Sequence, residues 1–215
     1  MCRKLIVLAL VLGMASVGFA KVIGNWEGTS MDSWSTGAYT EFSTAAGTVT
    51  NGSQSLMIGS NSGYNWTPSW NAPWDGSLNG GLGANYIPGP SERIFTMDVT
   101  MIGNGGSTGW GAFAKEVAIN SNGAGGWNQG LAVTWTDRVT GLPTANDFSA
   151  TTTGFQRTMR VDLNSYNFTG ATWFQINLST NSAFAVYVDN AQLTPEPATM
   201  ALLGLGGLAW IRRKK

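Results

Sequence analysis

The stretch Ile94-Phe95-Thr96-Met97-Asp98-Val99-Thr100-Met101 decides the fold class of this chain. Phe95, Met97, Val99 and Met101 fall on one side, and Thr96, Asp98 and Thr100 on the other. A period of two is what a strand with one buried face produces. Working outward, the pattern recurs. A strand is expected over 155–163, with Phe155, Met159, Val161 and Leu163 on one side and Arg157 as the exception. Another covers 172–178, with Phe174, Ile176 and Leu178 inward, and a last one covers 183–193, with Phe184, Val186 and Val188. Upstream, 22–26 opens the series, and 54–58 follows Asn51-Gly52, a strong turn dipeptide. Two further strands, 110–119 and 130–135, flank the Gly- and Asn-rich 120–126. No window in this region carries helical periodicity. Seven to nine strands, no helices and one long domain predict an all-β, two-sheet antiparallel sandwich.

Composition agrees. The chain has 215 residues, with ten Trp, 29 Gly and no His. Aromatic and turn residues with few charges suit an exported all-β domain and argue against disorder. Without histidine, no Ser-His-Asp or Cys-His arrangement and no His-ligated zinc is possible. Twelve basic and twelve acidic residues balance formally, but seven of the bases lie at the two ends: Arg3, Lys4, Lys21, Arg212, Arg213, Lys214 and Lys215. Between 22 and 194, five bases face eleven acids, leaving six net negative charges. That excludes a phosphate-backbone partner, so no nucleic acid is expected.

The ends read as addresses. Residues 1–20 carry Arg3 and Lys4, an apolar run over 5–12, and small residues ending Gly18-Phe19-Ala20, the order of a secretory signal peptide with its short helix. The only cysteine, Cys2, lies inside it, so the remaining chain has no disulfide and relies on core burial or a bound ion. At the other end Pro195-Glu196-Pro197 stops a strand and starts a helix. The apolar run 198–211 makes about 21 Å of helix, short of a hydrocarbon core of about 30 Å. Arg212, Arg213, Lys214 and Lys215 hold that end on the cytoplasmic side. These parts closely resemble the PEP-CTERM sorting signal of Gram-negative bacteria. The resemblance implies an inner-membrane intermediate held by a short transmembrane helix and cleavage by an exosortase-type membrane protease. Delivery to the cell surface or extracellular matrix would follow. The expected division is 1–20 signal peptide, 21–194 sandwich and 195–215 sorting signal.

Within the sandwich, Asn25-Trp26-Glu27-Gly28, then Gly52-Ser53-Gln54-Ser55-Leu56, and finally Val188-Asp189-Asn190 together resemble carbohydrate-binding modules of the galactose-binding-like jelly-roll type. The resemblance implies a jelly roll and a structural Ca²⁺ between Glu27 and Asp189, hard oxygen ligands that suit this ion. The alternative is that Glu27 caps a turn and Asp189 bonds a neighbouring amide. The segment Trp66-Thr67-Pro68-Ser69-Trp70-Asn71-Ala72-Pro73-Trp74 reads as a loop because of its prolines. Its indoles, Trp66, Trp70 and Trp74, either stack on sugar rings or fold back as a satellite core. Trp110, Trp127, Trp135 and Trp173 read as core or sheet-surface residues.

Paired carboxylates for glycoside hydrolysis could be drawn from Glu92, Asp98, Glu116 or Asp137, but no spacing singles out two. The expected function is non-enzymatic: an exported surface or matrix protein that binds extracellular polysaccharide. The alternative is a structural or adhesive protein without a small ligand.

Overall fold

The computed structural model of the chain describes residues 20–35, 39–59, 64–66, 68–75, 84–89, 92–102, 116–144, 153–181 and 185–194. Residues 1–19 of the expected signal peptide 1–20, the tail 195–215, Trp110 and Phe184 lie outside the described residues.

Among the described residues there is no α-helix. The larger sheet has eight strands. Its path runs β13 (Pro143–Thr144), β12 (Val133–Asp137), β14 (Thr153–Asp162), β9 (Ile94–Ile102), β17 (Ala185–Thr194), β4 (Ser55–Gly59) and β3 (Tyr39–Ser43). The eighth strand, β1 (Lys21–Gly24), pairs with the C-terminal part of β17. The smaller sheet runs β11 (Asn128–Leu131), β10 (Val117–Ser121), β15 (Phe174–Leu178), β6 (Ser69–Asn71) and β2 (Trp34–Ser35). Two short ribbons pair β16 (Thr180–Asn181) with β5 (Tyr64–Asn65) and β7 (Trp74–Asp75) with β8 (Ala84–Asn85). The longer strands alternate between the sheets in chain order: β4 large, β6 small, β9 large, β10 and β11 small, β12 and β14 large, β15 small, β17 large. This is the two-sheet antiparallel sandwich that the alternating apolar pattern predicts, in the jelly-roll form that the resemblance implies.

The core lies between the sheets. From the larger come Phe95, Met97, Val99, Met159, Val161, Val186, Val188, Leu56 and Ile58. From the smaller come Val117, Ile119, Phe174, Ile176, Leu178, Trp70 and Trp34. The inward residues expected on 94–101, 172–178 and 183–193 take those places wherever their side chains are described. Arg157, the expected exception, shares the face of Met159 and Val161 and is itself buried.

Three local expectations need correction. Residues 69–71 are not loop but β6, paired with Gln175, Ile176 and Asn177 of β15. The prolines flank this three-residue strand instead of interrupting it. Pro68, which has no N–H, contributes only its carbonyl, to the Leu178 amide at 3.0 Å. The single strand expected over 130–135 is two, β11 and β12, in different sheets with Ala132 between them. Lys21 is no part of a terminal signal. It opens β1, and its ammonium lies 4.0 Å from the centre of the Tyr86 ring, so the sandwich carries five net negative charges, not six.

Trp70 shows what the small sheet gains from β6. It is 1% exposed, meets Phe174 edge-on at 5.4 Å and Tyr86 at 6.4 Å, and donates its indole N–H to the Asp32 carbonyl at 3.0 Å. Trp70→Ala should lower stability by about 3–5 kcal/mol, the range for emptying a buried aromatic site. Urea unfolding checks this; a loss below about 1 kcal/mol would show that the ring is not a core member.

Candidate functional site

The turn over residues 50–54 is gripped from two directions. Glu27, just beyond β1, accepts from the Ser53 amide at 2.8 Å, the Ser53 hydroxyl at 2.6 Å and the Gln54 amide at 3.2 Å. Asp189, within β17, accepts from the amides of Thr50 at 2.8 Å and Asn51 at 2.7 Å through one oxygen. Its other oxygen takes the Asn190 amide at 2.7 Å. Between the gripped stretches sits Gly52 with φ 72°. A Cβ there would lie 2.0 Å from Glu27 Oε1, so glycine is required both by the left-handed backbone and by the closeness of the carboxylate.

Beside Asp189, directly opposite on β9, stands Asp98. Asp98 takes the Thr158 hydroxyl at 2.6 Å and the Arg138 Nε at 3.0 Å, while Asn190 Nδ2 lies 3.3 Å away. Arg138 also donates to the Thr50 carbonyl. Ser53 hydrogen bonds hold the Glu27 carboxyl below its ordinary range. Burial pushes that of Asp189 up, against its amide bonds.

The sequence pairs Glu27 with Asp189 around Ca²⁺, and the fold does bring both to one turn. Yet each is turned toward N–H and O–H donors on neighbouring stretches of that turn. Among the described residues no cluster of three or more Asp, Glu, His or Cys could hold a metal ion. The described contacts are those of the alternative reading, in which Glu27 caps a turn and Asp189 bonds neighbouring amides.

The second site is the outward face of the small sheet. Val117 and Ile119 belong to the core, whereas Ala118, equally buried, does not. Alternation and pairing then place Ala118, Asn120, Gln175, Asn177, Ser69 and Asn71 on the opposite face. On β11 a register shift intervenes. Leu131 faces Val117, but Gln129 faces Ala118, and Gly130 between them has φ 148°. This bulge keeps Leu131 in the core while turning Gln129, and Trp127 two residues earlier, outward. Trp127 donates to Gln129 Oε1 at 3.3 Å, and Gln175 donates to Asn71 Oδ1 at 2.8 Å. Trp173 precedes Gln175 by two positions and is partly exposed.

The three indoles singled out from sequence do not share one platform. Trp70 is core. Trp74, 65% exposed, sits on the β7–β8 ribbon. Trp66 meets Trp127 edge-to-face at 5.3 Å. Trp66 lies just before β6 and Trp127 just before β11, with β10 and β15 between them. At about 4.8 Å per strand, the rings can meet only by leaning across the outward face. The burial of Ala118, Asn177 and Ser69 on that face fits such a cover. Trp127 and Trp173 therefore carry more of this surface than Trp70, and the readable signal for Trp127 was Gly130.

Three of the four carboxylates considered for hydrolysis, Asp98, Asp137 and Glu92, hold backbone or side-chain donors. Asp98 is bound as above. Asp137 accepts from the Thr140 amide at 2.7 Å, its hydroxyl at 2.9 Å and the Val139 amide at 3.0 Å, which keeps it below the ordinary range. Glu92 accepts from the Gly89 amide at 3.2 Å.

Two measurements follow from the clamp. The unfolded carboxyl of a Glu titrates near 4.3. Because Glu27 is held lower when folded, its contribution is fully present above that value and is lost as pH falls through the folded one. Acid melts from about pH 5 to about pH 3 should therefore destabilise the native chain more than Glu27→Gln; parallel curves would remove the role of its charge. Calcium or chelator should leave the melting temperature in place; a calcium-dependent rise abolished by Asp189→Ala would restore the metal.

Comparison with curated protein sequences gives no match. Among solved structures, the CBM22-1 xylan-binding domain of Paenibacillus barcinonensis Xyn10C is similar at 10% identity and a TM-score of 0.45, covering 82% of this chain and 95% of that one. SGBP-B from a complex xyloglucan utilization locus in Bacteroides uniformis is similar at 12% identity and a TM-score of 0.45, covering 81% of this chain and 49% of that one. The family model of the PEP-CTERM protein-sorting motif matches residues 193–215, around Pro195-Glu196-Pro197, and this chain therefore carries that sorting motif.

Proposed function

We propose that this chain is an exported protein, processed at its sorting motif by an exosortase-type membrane protease. Its sandwich then sits at the cell surface or in the extracellular matrix and binds a neutral polysaccharide without hydrolysing it. One observation carries the binding reading: the outward face of the small sheet joins side-chain amides and indoles and bears no charged residue at the placed positions. Sugar rings offer flat C–H faces, which match an indole surface, and hydroxyls, which both donate and accept. An amide also does both, so Asn71, Asn120, Gln129 and Gln175 suit hydroxyls better than carboxylates or ammonium groups do. Rigid aromatics supply large contact area at little conformational entropy cost.

Support for a non-catalytic role comes from the carboxylates. Hydrolysis of a glycosidic bond needs two of them flanking the scissile bond, one to protonate the leaving oxygen and one to attack the anomeric carbon or activate water there. Asp98, Asp137, Glu27 and Asp189 are instead held by the turns they organise.

The test is affinity electrophoresis of the full chain in gels containing neutral plant or bacterial glucans, xylans or xyloglucans. At least one should retard the native chain, and Trp127→Ala should weaken retention by about tenfold or more, as for a central aromatic contact. Equal retention of Trp127→Ala and the native chain would remove this face as the binding site. Release of reducing sugar by the native chain would overturn the non-catalytic reading.

A further inference from the structure

A second groove lies where the segment 87–89 and Arg93 meet the turn 164–169. It is open to solvent and has a volume of about 610 Å³. Arg93 is the only charged residue in its lining.

The setting of that arginine is unusual. Its guanidinium lies 4.1 Å from the centre of the Phe168 ring, and its Nε donates to the Gly89 carbonyl at 3.1 Å. Those two contacts fix the plane of the group. Among the described residues Arg93 has no carboxylate within salt-bridge distance. The nearby Glu92 takes the Gly89 amide at 3.2 Å through one oxygen, and one oxygen of Asp162 takes the backbone and side-chain nitrogens of Asn164 at 2.9 Å. Burial pulls the arginine below its ordinary range. In a domain with a net negative charge, a half-buried and oriented cation without an internal counter-ion is held against its own desolvation.

Around it stand groups suited to a sugar. Phe168 and Tyr166 pack edge-on at 4.6 Å as buried core members and back the groove from beneath. The Tyr166 hydroxyl is already bound to Gly126 at 2.6 Å. Asn167 is exposed and uses its oxygen on the Thr169 amide at 3.0 Å, which turns its amide nitrogens away from that contact.

We infer that this groove binds the carboxylate of an acidic sugar, a uronate within an extracellular polymer, through the fork of Arg93 with Asn167 beside it. A fixed planar guanidinium matches a carboxylate with two parallel hydrogen bonds. The site is separate from the neutral-glycan face and stands or falls independently of it.

Isothermal titration of the full chain with an oligogalacturonide tests the inference, with the same oligosaccharide reduced at its carboxyls and sodium sulfate as the other arms. The native chain should bind the uronate, lose affinity at high salt, and ignore the reduced sugar. Arg93→Gln should weaken binding by about tenfold or more, and Arg93→Lys should not fully restore it, because the fork is lost. Since Arg93 packs on Phe168, Asn167→Ala, at an exposed position, gives an independent reading and should weaken binding without shifting the melting temperature. Trp127→Ala should leave uronate binding unchanged. The inference is overturned by absence of uronate binding, by equal binding of the reduced sugar, by full affinity in Arg93→Gln, or by sulfate competing as well as the oligosaccharide.

Discussion

The grip of two carboxylates on the turn around Gly52 is the constraint on which the rest of this sandwich depends. Glu27 follows the first strand of the large sheet and Asp189 lies in its last, so the turn they share ties the opening of the domain to its end. Loop closure over so long a span is entropically unfavourable, and the only cysteine, Cys2, lies outside the sandwich. Backbone amides held by ionised oxygens supply a cross-link of another kind, since charge-assisted bonds are among the stronger ones. The same turn covers the side of β9 and β17 that faces away from the core. There Asp98 and Asp189 are nearly as buried as the apolar residues on the other side. A polar layer of this kind holds together only when its members satisfy one another, and Arg138 completes it by joining Asp98 to the Thr50 carbonyl.

With that side of the large sheet covered, the proposed binding rests on the small sheet. Its inner face is apolar and its outer face consists of amides and indoles, the division a half-buried sheet imposes residue by residue. The bulge at Gly130 changes this division at one edge. It lets a single strand send Leu131 inward and Gln129 outward, so Trp127 reaches the face. A few degrees of backbone freedom at one glycine thus decide which tryptophan meets solvent.

The sorting motif and the fold meet without a spacer. The motif match begins at Leu193, and Leu193 is fully buried, paired with both Lys21 and Phe95. A protease that releases the domain intact has to cut beyond Thr194, where Pro195 already rules out further pairing on that side. Address and domain are distinct in chemistry but adjacent in chain.

The sequence by itself determined the sandwich, the inward faces of its long strands and the sorting tail. Periodicity of two and the order proline-apolar-basic are local properties, written in consecutive residues. It also pointed to Glu27 and Asp189, because the Trp-Glu-Gly turn and the Asp-Asn strand stand out locally, though not to what their oxygens hold. Only the tertiary structure decided that Trp70 belongs to the core while Trp66 leans toward Trp127, because both indoles lie in one proline-flanked segment with no periodicity to separate them. Only it placed Arg93 over Phe168 without a carboxylate, since those residues are far apart in the chain. Pairing between distant segments, not the composition of either, sets which side chains face each other and which face water.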